Sequence, residues 1–282
     1  MKRLFKLFMY SVGCTLLFSV PAYSANILMQ LVPVIAAAAN KKFTMLFASD
    51  AQVGLCSDFG HKVVVDKMNQ VATANGNTVG MIFNGDIAQT GIAHESLPFW
   101  RDIFVSGAHF PVYPGLGNHD YENYYIYNLS DGDPSNDWEA FQCAVGDYAD
   151  WGVDACTVMM LDYLDSVEAD IPLKKRIDPA SRSYAFWEKG YLFVQLNYYP
   201  SYEKDLTGDQ YDTGPSIAWA KELLADNENT YRLPVVLNVH SYKDVPYSDH
   251  SVEIQEIISA PGGGYVVGVF TGHVHTTRGY VE

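Results

Sequence analysis

Short apolar runs rich in β-branched and aromatic residues recur along the chain and alternate with longer helix-compatible stretches. Six of the runs have strand length and end close to Gly, Pro, Asn or Asp, which predicts buried strands. They cover Phe43 to Ala48, Val79 to Phe83, Pro111 to Tyr113, Tyr191 to Leu196, Pro234 to Leu237 and Tyr265 to Phe270. The helix-compatible stretches are His61 to Ala74, His94 to Val105, Ser216 to Ala225 and Val252 to Ile258. This alternation predicts an α/β fold whose strands are buried on both faces.

The alternation is interrupted over residues 121–182, which are rich in Asp and aromatic residues. We predict an insertion that packs over one edge of a functional site. Cys143 and Cys156 bracket the sequence AVGDYADWGVDA and are the predicted disulfide pair, which leaves Cys56 as a buried or free thiol. No CxxC pair is present in the sequence, so a zinc finger is a poor interpretation.

The first 24 residues have the pattern of an export signal. Basic residues precede an apolar stretch, and the small-x-small sequence AYS is suited to cleavage before Ala25. An uncleaved N-terminal anchor is the alternative, but polar residues, a glycine and Pro21 interrupt the stretch, which is short for a bilayer. We therefore predict a secreted or periplasmic protein with no stable membrane span once the signal is removed.

Composition and charge limit the classes of partner. The 282-residue chain is 48% hydrophobic, enough for the core of one large domain, which we predict over residues 43–282. The apolar sequence ILMQLVPVIAAAA, within the lead-in segment 25–42, is either a first core element or a flexible connection. Without the three basic residues of the signal, 15 basic residues remain against 33 acidic residues, a net charge near −18. Because such a surface repels nucleic-acid backbones and anionic membranes, we expect no nucleic-acid scaffold as a partner.

Polar clusters follow five of the predicted strands. They are Ser49-Asp50-Ala51-Gln52, Asn84-Gly85-Asp86, Gly117-Asn118-His119-Asp120, Asn238-Val239-His240 and Gly272-His273-Val274-His275. An isolated Asp or Asn at such a position is ordinarily a turn or cap residue, and an isolated His is ordinarily a core or surface residue. Because the carboxyl ends of strands in open α/β sheets line one edge, the coincidence of five clusters predicts a shared site.

The side chains of these clusters indicate a metal centre. Carboxylate, amide and imidazole groups together suit iron, zinc or manganese better than calcium or magnesium, which prefer oxygen alone. The set also exceeds the four ligands of one tetrahedral zinc, so two divalent metal ions that share a bridging carboxylate are the predicted cofactors. A bound divalent metal would also reverse the local charge of an acidic protein.

The ordered set SDAQ, NGD, GNHD, NVH and GHVH resembles the motifs of the calcineurin-like metallophosphoesterase superfamily, which includes purple acid phosphatases and enzymes like acid sphingomyelinase. The family pattern is DxH, GD, GNH(D/E), a single His and GHxH, and the match runs from Asp50 to His275. The resemblance implies a metallo-dependent phosphatase-like fold, two mixed β-sheets packed as a sandwich and flanked by helices. It implies hydrolysis of a phosphomonoester or phosphodiester, with a small-molecule or lipid group, by a metal-bound hydroxide.

The resemblance also implies a role for each matching residue. The implied metal ligands are Asp50 and His275 for the first ion, Asp86 for both ions, and Asn118, His240 and His273 for the second ion. His119 corresponds to a histidine that binds no metal and stabilises or protonates the leaving group. Asp120 would orient that histidine.

Gln52 departs from the family pattern, which usually has His at this position. Its neutral amide is a weaker donor toward transition metals. Gln52 therefore binds the first ion loosely, changes the preferred metal, or only hydrogen-bonds to the ligands. The alternative function is a catalytically weak binding protein on the same scaffold. Family members usually continue through further strands after the last motif, whereas this chain ends seven residues after His275, which predicts a shortened copy.

Two further aromatic residues follow a predicted strand. Tyr198 and Tyr199 of the sequence QLNYYP either line the pocket or lie in the core or at its rim, which is the commoner place for aromatic residues after a strand.

Overall fold

The computed structural model describes residues 43–53, 58–87, 99–121, 175–203, 213–244 and 248–273. Within these ranges the chain is a mixed α/β structure with two main sheets and helices. In chain order the elements are β1 (Thr44–Ala48), α1 (Asp58–Asn75), β2 (Thr78–Asn84), a π-helical turn (Arg101–Val105), β3 (Val112–Gly115), the short α2 (Asn118–Tyr121), β4 (Lys175–Ile177), β5 (Tyr184–Glu188), β6 (Tyr191–Gln195), α3 (Ile217–Asp226), a second π-helical turn (Asn227–Tyr231), β7 (Val235–Val239), β8 (Lys243–Asp244), β9 (Ser248–Asp249), α4 (Ser251–Ile258), a 3₁₀ turn (Gly263–Tyr265) and β10 (Val266–Thr271).

The first sheet contains β1, β2 and β3 in that order, all parallel. Its strands are nearly continuous apolar runs and are buried, as expected for parallel strands. Leu46 and Met81 of this sheet belong to one buried cluster with Val65 of α1 and Phe104 of the π-helical turn. This cluster fixes the helix α1 against the sheet.

The second sheet has the order β10-β7-β6-β5-β4. Strands β10, β7 and β6 are parallel, and β5 and β4 are added antiparallel at one side. Leu192 and Leu237 of the sheet belong to a second buried cluster with Leu223 of α3 and Ile257 of α4. The two-stranded ribbon β8-β9 is separate from both sheets.

A third buried cluster contains aromatic side chains of both sheets. The ring of Phe47 stacks on that of Phe270, and the ring of Tyr113 stacks on that of Phe186, each with 3.9 Å between ring centroids. Stacked rings bury large apolar areas, so this cluster holds the two sheets together. It therefore also fixes the strand ends of one sheet relative to those of the other.

The predicted α/β class is confirmed, and each of the six predicted strands is present within a residue or two of its predicted bounds. Strands β4 and β5 were not predicted. Strand β4 lies within residues 121–182 and forms the edge of the second sheet, where Arg176 pairs with Glu222 and Asp226 of α3. A three-residue strand with two basic residues carries too little apolar pattern to be recognised.

Several predictions fall outside the described residues. These are the export signal, the lead-in segment 25–42, the predicted disulfide Cys143–Cys156, the thiol Cys56 and the ligand His275. None of the helices in the described ranges combines the length and the apolar character needed to cross a bilayer.

Candidate metal centre

The predicted site residues follow the carboxyl ends of five strands from both sheets. Asp50 follows β1, Asp86 follows β2 and Asn118 begins α2 after β3, while His240 follows β7 and His273 follows β10. The structure brings ligand atoms of Asp86, His240 and His273 within 4.8 Å of one another. Three residues separated by up to 187 positions thus form one cluster.

His240 lies at the centre of the cluster and is completely buried. Its Nδ1 is 2.6 Å from the backbone oxygen of Asn84, and because a carbonyl oxygen only accepts hydrogen bonds, this nitrogen carries a proton. Its Nε2 faces two oxygen atoms, Asn118 Oδ1 at 3.0 Å and Asp86 Oδ1 at 3.2 Å. With two oxygen atoms facing it, this nitrogen is in a position that suits a proton or a cation between these atoms.

The charges of His240 and Asp86 stabilise each other. Burial alone would raise the pKa of Asp86, but the positive charge and hydrogen bond of His240, together with His119, lower it to about 2. Burial alone would lower the pKa of His240, but the negative charge and hydrogen bond of Asp86, together with Asp50, raise it to about 9. The site is therefore electronegative enough to hold a positive charge at His240 Nε2 at neutral pH.

The donor set fits a transition-metal ion. Asp86, Asn118, His240 and His273 offer a carboxylate oxygen, an amide oxygen and two imidazole nitrogens, and a divalent ion at His240 Nε2 would replace the proton there. The hydrogen bond from His240 Nδ1 to a backbone carbonyl is the usual way in which a metal-binding histidine is oriented.

Asp86 contacts two further predicted residues. Its Oδ1 accepts a hydrogen bond of 3.0 Å from the backbone N–H of His119, and its Oδ2 lies 3.9 Å from Nε2 of the same residue. The side chain of His119 is partly exposed, unlike that of His240. The amide nitrogen of Gln52 donates to Asp86 Oδ2 at 3.5 Å. Gln52 therefore lies beside Asp86 with its amide nitrogen, not its oxygen, turned toward the carboxylate.

Asp50 and His273 join the first strand to the last. Both carboxylate oxygens of Asp50 accept a hydrogen bond from the backbone N–H of His273 at 3.1 Å, and the Asp50 N–H donates to Gly85 at 3.0 Å. The ring of His273 lies 5.1 Å from that of His240 in an edge-on arrangement. Asp50 is therefore positioned next to the cluster.

Asp120 is buried and connects two site loops. Its carboxylate accepts hydrogen bonds from the backbone N–H groups of Ile87 at 2.9 Å and Gly117 at 2.8 Å. These bonds hold the loop after β2 against the loop after β3. Its role as orienter of His119 stays a prediction.

Four predicted residues have left-handed backbones at the site. The φ angles of Asp50, Gln52, Asp86 and His273 are 58°, 44°, 52° and 69°. A residue other than glycine costs about 1–3 kcal/mol in such a conformation, and such residues concentrate at functional sites. The surrounding hydrogen bonds therefore stabilise strained loops, two of which carry the cluster residues Asp86 and His273.

Two residues that position the site were missed from the sequence. The backbone oxygen of Asn84 anchors His240, and the buried Asn197 accepts from the Leu116 N–H at 3.2 Å and donates to Ser181. Asn84 precedes the Gly85-Asp86 pair at the end of a strand, which was the available signal. Asn197 had a similar signal in QLNYYP, directly after β6.

A comparison with protein-family models and a comparison with curated proteins both found no match to this chain.

Proposed function

We propose that this chain is an exported phosphoesterase of the calcineurin-like superfamily that depends on two divalent transition-metal ions. The observation that carries the proposal is the environment of His240, whose Nε2 faces Asp86 and Asn118 while its Nδ1 is anchored on a backbone carbonyl. The stacked rings between the two sheets support the proposed sandwich fold of that family. The order of the motifs from Asp50 to His275 supports the same assignment.

In this proposal each residue of the cluster has a defined task. Asp86, Asn118, His240 and His273 would hold one ion, and Asp50, His275 and Asp86 would hold the other, with Gln52 beside them. Iron, zinc or manganese bound there would supply an acidified water molecule and an attractive charge for the phosphate oxygens. The substrate is a phosphomonoester or phosphodiester of a small molecule or a lipid.

His119 supplies the proton that the leaving group needs. Its backbone is fixed by the hydrogen bond to Asp86, and its partly exposed ring places Nε2 near the carboxylate without full burial. A proton held on Nε2 can pass to the oxygen of the departing alcohol, which makes that alcohol a better leaving group. The buried Asp120 keeps the loop that carries His119 in place.

Turnover of p-nitrophenyl phosphate and bis-p-nitrophenyl phosphate with manganese, iron or zinc tests the proposal. We expect the Asp86→Asn variant to lose nearly all turnover, because the shared carboxylate loses its charge. Asp66→Asn, an exposed change in α1, is the matched control and should retain activity. If neither ester were hydrolysed with any of these metals at any pH, the proposed phosphoesterase activity would be excluded.

The second candidate is a catalytically weak binding protein on the same scaffold. The amide nitrogen of Gln52 that faces Asp86 favours it, because that contact offers the first ion no lone pair. Metal binding at the cluster without hydrolysis of either ester would support this function.

A further inference from the structure

We infer that Tyr198 is a specificity-determining residue that contacts the organic group of the phosphoester through its aromatic ring, so that flat aromatic leaving groups are preferred. The inference depends on the proposed function, because it assumes that a phosphoester binds at the Asp86–His240–His273 cluster. It assigns a role to a residue outside the ligand set.

The ring of Tyr198 lies beside both histidines of the cluster. Its centroid is 6.0 Å from that of His240 and 6.2 Å from that of His273, in tilted orientations. These separations are within the range of direct aromatic contact. Tyr198 and His273 are both partly exposed, whereas His240 is buried, so the tyrosine forms part of the accessible wall next to the cluster.

The backbone fixes Tyr198 in this place. It follows β6, and its carbonyl accepts a hydrogen bond of 2.7 Å from the N–H of Ser241, the residue after His240. The N–H of Leu196 donates to the carbonyl of Asn238 at 2.7 Å. Hydrogen bonds therefore join the loops that carry Tyr198 and His240 both before and after His240, so a shift of one loop moves the other.

A rigid aromatic group supports the ring of Tyr198 from behind. Tyr199 and Tyr202 contact it with centroids at 4.6 Å and 5.1 Å. Tyr199 in turn stacks on His250 at 3.9 Å, and Glu253 accepts hydrogen bonds from both His250 and Ser201. Because the ring is held before any ligand arrives, contact with a ligand costs little side-chain entropy.

The chemistry of the surroundings assigns the preference. The described cluster is lined by carboxylate, amide and imidazole groups, which bind the phosphate end of an ester through the ions. A flat apolar group stacks on an aromatic ring more favourably than a small hydrated alcohol does. The Tyr198 ring therefore selects for the organic end of the substrate and leaves the phosphate end unchanged.

The experiment uses two phosphonates that resist hydrolysis, phenylphosphonate and methylphosphonate, with the manganese-loaded protein. Calorimetry should show tighter binding of phenylphosphonate by the wild type, and Tyr198→Ala should lower this preference about 2- to 10-fold. Tyr198→Phe retains the ring and should retain the preference. Tyr231→Ala is the control, because this exposed tyrosine lies at the opposite end of β7.

Kinetics separates this inference from the proposed function. Tyr198→Ala should lower the ratio of kcat/KM for p-nitrophenyl phosphate to that for glycerol 2-phosphate, with manganese affinity unchanged. A phenyl preference that depends on Tyr198 without any turnover would reject the proposed function and keep the inference. An unchanged preference in Tyr198→Ala alongside normal turnover would overturn the inference alone, and absent phosphonate binding together with absent turnover would overturn both.

Two more variants exclude indirect effects. Tyr198→Leu keeps an apolar side chain and should lose the phenyl preference while binding manganese normally. Weaker manganese binding in both Tyr198→Ala and Tyr198→Leu would overturn the inference, because Tyr198 would then act by positioning the histidines. Equal losses in Tyr198→Phe and Tyr198→Ala would overturn it in favour of a contact through the hydroxyl.

Discussion

At the residue scale, the charge on His240 couples metal binding to pH. A metal ion must displace the proton from His240 Nε2, and the negative charge of Asp86 raises the pKa of this histidine to about 9. Asp86 stays ionised because its pKa is lowered to about 2, so it contributes no change near neutrality. We therefore expect the affinity for manganese to fall by about tenfold for each pH unit below the pKa of His240.

Calorimetric titration with manganese at about pH 6, 7 and 8 measures this dependence. His109→Ala, a change at an exposed histidine, should leave the pH dependence intact. An affinity that is independent of pH would show that His240 is not a ligand.

Gln52 gives a second prediction at this scale. Gln52→His introduces, beside Asp86, the residue usual in the proposed family and replaces an amide donor with an imidazole lone pair. We expect tighter binding of the second equivalent of zinc and a higher kcat, because the first ion gains a stronger ligand. The measurement is metal stoichiometry and affinity by titration, with Gln70→His on the exposed face of α1 as the control. If the second equivalent binds no more tightly, Gln52 has no role in holding the first ion.

Asp86, His240 and His273, which the structure brings together, could be selected from the sequence because each follows an apolar run at a strand end. Their partners were not accessible. The carbonyl of Asn84 that anchors His240 lies 156 residues earlier in the chain, and nothing local indicates this pairing. Likewise, the sequence left Tyr198 between pocket and core, because its place depends on how the loops after β6 and β7 join.

At the scale of elements, the site depends on the close approach of the loop after β3 to the loops after β2 and β7. A Cβ atom at Gly117 would lie 2.3 Å from Asp86 Oδ1 and 2.8 Å from His240 Cε1. The loop between β3 and α2 therefore requires glycine at position 117 because any side chain would clash with Asp86 and His240, and not because the backbone needs a positive φ angle. The short helix α2 then brings the Asn118 side chain to His240 and the backbone N–H of His119 to Asp86.

Gly117→Ala tests this packing. The added methyl group would displace Asp86 or His240, so we expect a loss of about 1–3 kcal/mol in the free energy of unfolding and a large loss of metal affinity. Gly60→Ala in α1 is the matched control, since a methyl group added there would have no atom of another segment within 4 Å. Chemical denaturation and metal titration of both variants provide the measurement. Normal metal affinity in Gly117→Ala would contradict the close approach of the two loops.

A strand could be predicted from the sequence only where it contains enough consecutive apolar residues. Strands with continuous apolar runs, such as β2 and β7, were predicted because burial on both faces leaves a clear pattern. Strand β4 was missed because it is short and carries Lys175 and Arg176. Its place in the sheet depends on antiparallel pairing with β5 and on the ion pairs of Arg176 with α3, which are contacts between distant segments.

At the scale of the whole molecule, the cluster joins the two sheets. Asp86 and Asn118 follow strands of the three-stranded sheet, while His240 and His273 follow strands of the five-stranded sheet. The aromatic cluster around Tyr113 and Phe186 holds the sheets together away from the ligands. An ion at the site would therefore add a further connection between them, besides the hydrogen bonds of His240 and His273, and would bind the folded chain.

This linkage predicts stabilisation by metal. Manganese at about 100 times its dissociation constant should raise the free energy of unfolding by about 2.7 kcal/mol, because the unfolded chain does not assemble the ligands. For a chain of this size the rise corresponds to roughly 5–10 °C in Tm. Differential scanning calorimetry with and without manganese measures it. Asp86→Asn should lose the effect and Asp66→Asn should keep it.

An acidic chain with a net charge of −15 also attracts cations over its surface, and an equal rise in Asp86→Asn would assign the stabilisation to that surface instead of the cluster.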